Sequence, residues 1–261
     1  THLDKYPESE LEGILYRASE VGVGGAIIAG TTIESSLHSV RLAENNPSLF
    51  AAIGIHPMDI TIPFDHTALQ TLSELALNDR VMAISEVGLD GLEGAPDTTL
   101  QEEVFLASIQ LAKNNSLPII YHSRETYPRI LDILASEGAQ TVGGAAHYFQ
   151  GDLETAQRCI DLGFFISLAR PLLRMQDLQE VARKIPIEYI VLETDSYPQH
   201  FKKNRQSWTE PRHLAEVALA LAEIKDIPLE QVVQKTSNNI LDMLGSRSKA
   251  IKRALEGTFP T

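Results

Sequence analysis

Four side chains able to bind a metal ion stand at the ends of four separate β-rich runs: Glu86 in Val81-Met-Ala-Ile-Ser-Glu86, His122 in Pro118-Ile-Ile-Tyr-His122, His147 in Val142-Gly-Gly-Ala-Ala-His147 and Asp195 in Ile190-Val-Leu-Glu-Thr-Asp195. A single histidine at a strand end is more often a hydrogen-bonded structural residue than a ligand. Four such residues at equivalent positions reverse that balance, because in a parallel α/β barrel the carboxyl ends of all strands open onto one face. Imidazole and carboxylate donors suit Zn, Mn, Fe or Ni, while Mg prefers an oxygen-richer shell. With His2, the set exceeds one tetrahedral site and suits two metals about 3.5–4 Å apart, with Glu86 between them. Such a pair lowers the pKa of water and clamps the attacking and leaving oxygens of a displacement. Asp195 is the candidate general base, a role that requires proximity as well as basicity. The chemistry indicated is metal-dependent hydrolysis, and the expected cofactor is two divalent ions: Mg, Mn or Zn.

The elements that must position these residues follow from the pattern of the chain. Short apolar runs at Val23 to Ala29, Phe50 to Ile55, Val81 to Glu86, Pro118 to His122, Thr141 to His147, Phe164 to Leu168 and Tyr189 to Glu193 alternate with amphipathic stretches. Continuous apolar runs fit strands buried on both faces, and helix-length connections between them imply a parallel sheet. The predicted fold is a single (β/α)8 TIM barrel over residues 1–261, its first strand truncated or absent; the eighth strand is expected before Thr1. Strand alternation places Glu86 on one face with Ile84 and Met82, His122 with Ile120, His147 with Ala145 and Gly143, and Asp195 with Glu193. Glu193 then lies one layer deeper, either as a structural acid paired with an Arg or Lys or as a group orienting a ligand. Thr98 and Gln101 have the spacing of a capping box at the start of the third crossover helix. Further helices are expected at Glu8 to Gly22, from Pro211, and from Pro228 to Leu244.

With 261 residues, one cysteine (Cys159) and no run approaching the roughly 20 apolar residues of a membrane span, the chain reads as a cytoplasmic, monomeric protein without an obligate protein partner. The net charge of −13 opposes non-specific binding to a polyanion, since such affinity comes largely from basic contacts to phosphate. A nucleic-acid substrate therefore demands a local basic patch or bound cations.

Five phrases carry a resemblance: Val87-Gly88-Leu89-Asp90 after Glu86, Leu117-Pro-Ile-Ile-Tyr-His-Ser-Arg-Glu125, His147-Tyr-Phe-Gln-Gly151, Glu193-Thr-Asp195 and Gly54-Ile-His-Pro57. Together, in order and over nearly the whole chain, they resemble the TatD family of metal-dependent deoxyribonucleases in the amidohydrolase superfamily. The resemblance implies that Glu86 bridges two metals, that His122 and His147 hold one, and that Asp195 joins His2 on the other. It also implies DNA as substrate, with trimming from an end. The family's first strand ends in a His-x-His pair, whose first member would precede Thr1. Where the family usually carries an aromatic after its Gly-Leu-Asp phrase, this chain has Gly91-Leu-Glu-Gly, which bears on substrate contacts and not on the ligands.

Substrate contacts are expected at His56 and Arg124. For His56 the competing reading is a loop anchor through a backbone hydrogen bond; for Arg124, which can fork onto a phosphate oxygen, it is a salt bridge with Glu125 or another rim acid. Lys202, Lys203 and Arg205, near Tyr197 and Trp208, form a basic and aromatic cluster that suits a strand end or solvated surface. His38, His66 and His213 are read as surface residues, and His200 is left open. Two alternatives stand beside the nuclease. One is a hydrolase of a small amide, lactone or phosphoester, since fold does not fix function; the other is a catalytically impaired scaffold. Many superfamily relatives bridge their metals with a carbamylated strand lysine, and no lysine falls in the expected strands.

Overall fold

The computed structural model describes residues 1–61, 65 and 67–255; His66 lies outside them. Seven parallel strands pair in sequence order: β1 (Ala26–Ala29), β2 (Leu49–Ile53), β3 (Val81–Asp90), β4 (Ile119–Arg124), β5 (Gly144–Ala146), β6 (Phe164–Leu168) and β7 (Ile190–Leu192). Helix α1 (Glu8–Ser19) precedes β1, and the crossovers run through α2 (Ile33–Asn45), α3 (Thr67–Leu75), α4 (Thr98–Asn115), α5 (Tyr127–Ser136), α6 (Leu153–Asp161) and α7 (Gln176–Lys184). After β7 come α8 (Leu214–Lys225), α9 (Leu229–Met243) and α10 (Ser248–Leu255). This is the expected TIM-type barrel, with a first strand absent among the described residues. Thr1 and His2 fill the gap between the sheet's two edges: the Ala29 amide donates to Thr1 O at 2.9 Å, and the His2 amide donates to Ser196 O at 2.8 Å. Among the described residues no helix is long and apolar enough to cross a membrane.

One side chain from the second position of each strand enters a common inner layer: Ile27, Phe50, Met82, Ile120, Ala145, Phe165 and Val191. Met243, Leu244 and Ile251, from the end of α9, the residue after it and α10, pack on the same layer and plug that end of the barrel. Burial of these groups, at roughly 25 cal/mol per Å² of apolar surface, closes the amino-terminal mouth. The carboxyl ends of the strands are left as the open face. A larger outer cluster joins the strands to α1 through α9.

Several local expectations are corrected. Strand β3 does not end at Glu86 but continues through Asp90, pairing Gly88 with His122 and Asp90 with Arg124. Its period of two is broken by register shifts between Ala51 and Ala52 on its β2 edge and between Ile84 and Val87 on its β4 edge. Met82 therefore packs inside the barrel while Ile84 packs outside, and Glu86 does not share a face with both. The α4 capping box is also absent. Asp97 caps the helix by accepting from the Thr99 amide, and the Gln101 side chain instead bonds the backbone of Asp90 and Pro96. His38 and His213 are half-buried rather than surface residues, and His213 caps the turn before α8 through Glu210. Helix α10 has no counterpart in the sequence reading.

Gly88 lets β3 and β4 approach at the level of the site. Its φ is +143°, and a Cβ there would lie 2.1 Å from His122 O. Gly88→Ala is expected to lower stability by about 3 kcal/mol, read as a shift in the urea midpoint. A variant as stable as wild type would show that these strands can separate at little cost.

Candidate metal centre

The rim residues come from strands that break sharply. Glu125, Tyr148 and Asp195 all adopt positive φ, at 60°, 47° and 44°. The first two follow Arg124 and His147 directly, so the chain turns away just after presenting those side chains. Two groups of three residues hold possible ligand atoms within 4.8 Å of one another, His2–Glu86–Asp195 and His56–Glu86–His122, and they share Glu86. His2 Nε2 lies 3.2 Å from Glu86 Oε1 and 3.2 Å from Asp195 Oδ1. His147 Nε2 is 3.3 Å from the same Glu86 oxygen and 4.0 Å from Asp195 Oδ1. All five residues singled out as ligands from the sequence thus meet at the open end of the barrel.

Hydrogen bonds on the far side of each ring decide which nitrogen is free. His2 Nδ1 contacts Ala29 O at 3.0 Å, His147 Nδ1 contacts Glu193 Oε2 at 2.6 Å, and His122 Nε2 contacts Asp90 Oδ2 at 2.8 Å. Each partner is an acceptor, so each ring spends its N–H outward and keeps a lone pair for the centre, as metal-ligating histidines do. His56 is wired the opposite way. Its Nδ1 accepts from the Met58 amide at 3.1 Å, so the neutral ring carries its proton on Nε2 and offers a donor instead of a lone pair. Burial, then the neighbouring His122, lowers its pKa to about 4. The ring is therefore a loop anchor, as the competing reading of His56 had it, and a neutral hydrogen-bond donor in the lining of the cleft.

Glu86 supplies the test of whether these residues suit a cation. Its side chain is 6% exposed, and Oε1 is buried without a hydrogen-bond partner. An orphaned carboxylate oxygen among imidazole lone pairs is costly unless a positive charge joins it. Burial opposes the charge on Glu86, yet His147 and His2 hold its carboxyl well below the usual range. Without a metal, protons take that part. Burial lowers the His2 pKa, but Glu86 and Asp195 outweigh it and raise it to about 9; in the same way Glu193 and Glu86 raise His147 to about 10.

A pH dependence follows. Both folded-state values lie above the ordinary 6.5, so the stabilisation they give metal-free protein is complete below pH 6.5 and is lost as pH rises through 9 to 10. Thermal midpoints in chelator are expected to fall over that window and to hold up when a divalent ion replaces the protons. Parallel curves with and without metal would contradict the exchange.

Glu193 orients His147 and pairs with no Arg or Lys among the described residues: Oε2 contacts Nδ1, and Oε1 accepts from the Tyr148 amide at 2.5 Å. Glu193→Gln is expected to weaken metal binding about 10–100-fold, measured by calorimetric titration; unchanged affinity would leave the pair a purely structural contact. Asp90 serves His122 as Glu193 serves His147, a role the sequence reading missed because it ended the strand at Glu86. Arg124 pairs loosely with Asp90, Nη1 to Oδ2 at 3.6 Å, rather than with Glu125, and its side chain is 51% exposed at the cleft. Arg205 is not among the residues that line the cleft. It is held by Glu10 and Glu210 and lies over the rings of Tyr6 and Trp208. His200 packs edge-on against Trp208.

The cleft above the centre has a volume of about 1110 Å³ and also receives Arg170 and Arg174 from the turn after β6. Strand-end reasoning applied to β6 would have pointed to Arg170, two residues past Leu168.

Comparison with known proteins agrees with this geometry. Residues 1–245 match the family model described as TatD related DNase. The uncharacterized metal-dependent hydrolase YabD of Bacillus subtilis is 32% identical over 237 residues, covering 89% of this chain and 91% of YabD. The 3′-5′ ssDNA/RNA exonuclease TatD of Klebsiella pneumoniae is 28% identical over 239 residues, covering 89% and 90% of the two chains. In three dimensions the TatD homologue YjjV of Escherichia coli superposes with a TM-score of 0.84 at 29% identity, over 93% of this chain and 96% of YjjV. A match of that extent, running through every strand that carries a rim acid or histidine, makes this chain a member of the TatD family of metal-dependent hydrolases.

Proposed function

We propose that this protein is a nuclease that hydrolyses phosphodiester bonds of DNA from an end, using two divalent ions held by His2, Glu86, His122, His147 and Asp195. The observation that carries the reading is the buried Glu86 Oε1, faced by His2 Nε2 at 3.2 Å and His147 Nε2 at 3.3 Å while the other nitrogen of each ring is bonded outward. The name of the Klebsiella relative supports nucleic acid as the substrate class. Divalent ions in this donor set supply Lewis acidity, easing deprotonation of water and countering charge on phosphate oxygens. The chain's own residues do the rest. Asp195 accepts the proton lost by the attacking water. His56, fixed by the Met58 amide, donates from Nε2–H to a phosphate oxygen. Arg124 offers a guanidinium fork to the same phosphate and draws little competition from Asp90 at 3.6 Å.

The direct test is purified protein with Mn, Mg or Zn on end-labelled single- and double-stranded DNA. Progressive release of mononucleotides supports the reading. Intact substrate with every metal, from protein shown by elemental analysis to hold metal, removes it.

A further inference from the structure

The cations that reach the cleft are distributed unevenly. Five line it: Lys5, Arg124, Arg170, Arg174 and Lys202. Three of these, Arg170, Arg174 and Lys202, come from the adjacent loops after β6 and β7, whereas the β1 and β2 loops contribute Thr31, His56, Met58 and the acid Asp59. In a chain of net charge −13, a polyanion is drawn to the side where positive charge is concentrated. Arg170 is partly engaged by Glu216 at 3.4 Å, and Lys202 donates to Ser207 O. Arg174 is exposed and forms no ion pair among the described residues.

The same side carries aromatic surface. Tyr148, Tyr197 and Phe201 line the cleft, and Tyr148 lies within electrostatic reach of Arg174, Asp195 and Tyr197. Phe201 is 74% exposed, the largest exposure among the aromatic residues of the cleft wall. An isolated exposed phenylalanine is unremarkable surface. One that lines the same cleft as Arg174 offers a stacking face for a base, which is tolerant of sequence because every base has a π-face.

We propose that Phe201 and Arg174 form a second nucleotide subsite, the ring stacking on the base next to the scissile bond and the guanidinium holding the adjoining, uncleaved phosphate. This rests on the nucleic-acid reading above. The substrate then tracks away from the metal centre over the loops after β6 and β7, and a substrate without that neighbouring nucleotide forfeits the contact.

The test compares kcat/KM on a short oligodeoxythymidylate with kcat/KM on methyl p-nitrophenyl phosphate, a diester that has no ring beside the leaving group and no second phosphate. Phe201→Ala and Arg174→Gln are each expected to lower the ratio of the two about tenfold. Arg174→Gln should also flatten the dependence of log kcat/KM on log salt for the oligonucleotide by about 0.7, while Phe201→Ala leaves that slope alone. Lys184→Gln, an exposed cation at the end of α7 outside the cleft lining, serves as the control with wild-type ratio and slope. A ratio unmoved in both variants overturns the subsite, as does an equal loss on both substrates, which would mark the residues as structural. Wild-type protein that cleaves the diester and leaves the oligonucleotide intact overturns the nucleic-acid reading itself, and the subsite with it.

Discussion

Glu86→Gln is expected to strip the centre of tightly held divalent metal and to lower hydrolysis about a thousandfold or more, beyond the roughly 10–100-fold scale of an outer partner such as Glu193. The reason is position. Glu86 is the one residue common to both ligand groups, and its Oε1 faces His2 at 3.2 Å and His147 at 3.3 Å. Glutamine keeps the shape, loses the charge and brings an N–H that repels a cation. The same change leaves the protonated rings of His2 and His147 without the carboxylate that balances them, so the metal-free variant is expected to unfold below the wild-type temperature at neutral pH. Metal then separates the proteins. At about 100 times its Kd an ion adds about 2.7 kcal/mol to wild type, and the variant should show no such shift. A variant that gains as much thermal stability from metal as wild type would remove Glu86 from the centre.

How far the sequence carried depended on whether the strand period stayed intact. His122, His147 and Asp195 were found because β4, β5 and the run through β7 keep the alternation, with Ile120, Ala145 and Val191 entering the barrel interior. Glu86 was found by type and by a wrong argument. Two register shifts on β3 send Met82 inward and Ile84 outward, and the strand runs four residues beyond Glu86. Nothing in a linear pattern marks such shifts, and the error hid Asp90, whose task on His122 belongs to the extension. The basic cluster divides for a related reason: Lys202 lines the cleft, while Arg205 is consumed by Glu10, nearly two hundred positions away in the chain, and by Glu210. The direction in which His56 is wired depends on the amide of Met58, a backbone group that carries no residue signature. Composition said that a polyanion would need a local patch; Arg170 and Arg174, which line the cleft from the turn after β6, were not singled out in the sequence.

Asp195→Asn is the second decisive substitution, expected to reduce kcat about 10²–10⁴-fold, the scale of a lost general base, with little change in KM. Elimination among the acids nearest the histidines selects this residue. Glu86 is enclosed between two rings at 6% exposure. Glu193 spends one oxygen on His147 and the other on the Tyr148 amide. Asp90 spends one oxygen on the Leu92 amide and the other on His122 and Arg124. Asp195 meets His2 and His147 through Oδ1 alone, and its side chain is 23% exposed to the cleft. Burial opposes its charge, but His2 and His147 lower its pKa, so it is ionised at neutral pH and can accept a proton. Asparagine retains an oxygen that can face a cation and cannot take up the proton. Raising metal to saturation should therefore leave the variant slow. If excess metal restores the wild-type rate, Asp195 is a ligand only, and the base must be sought elsewhere in the cleft.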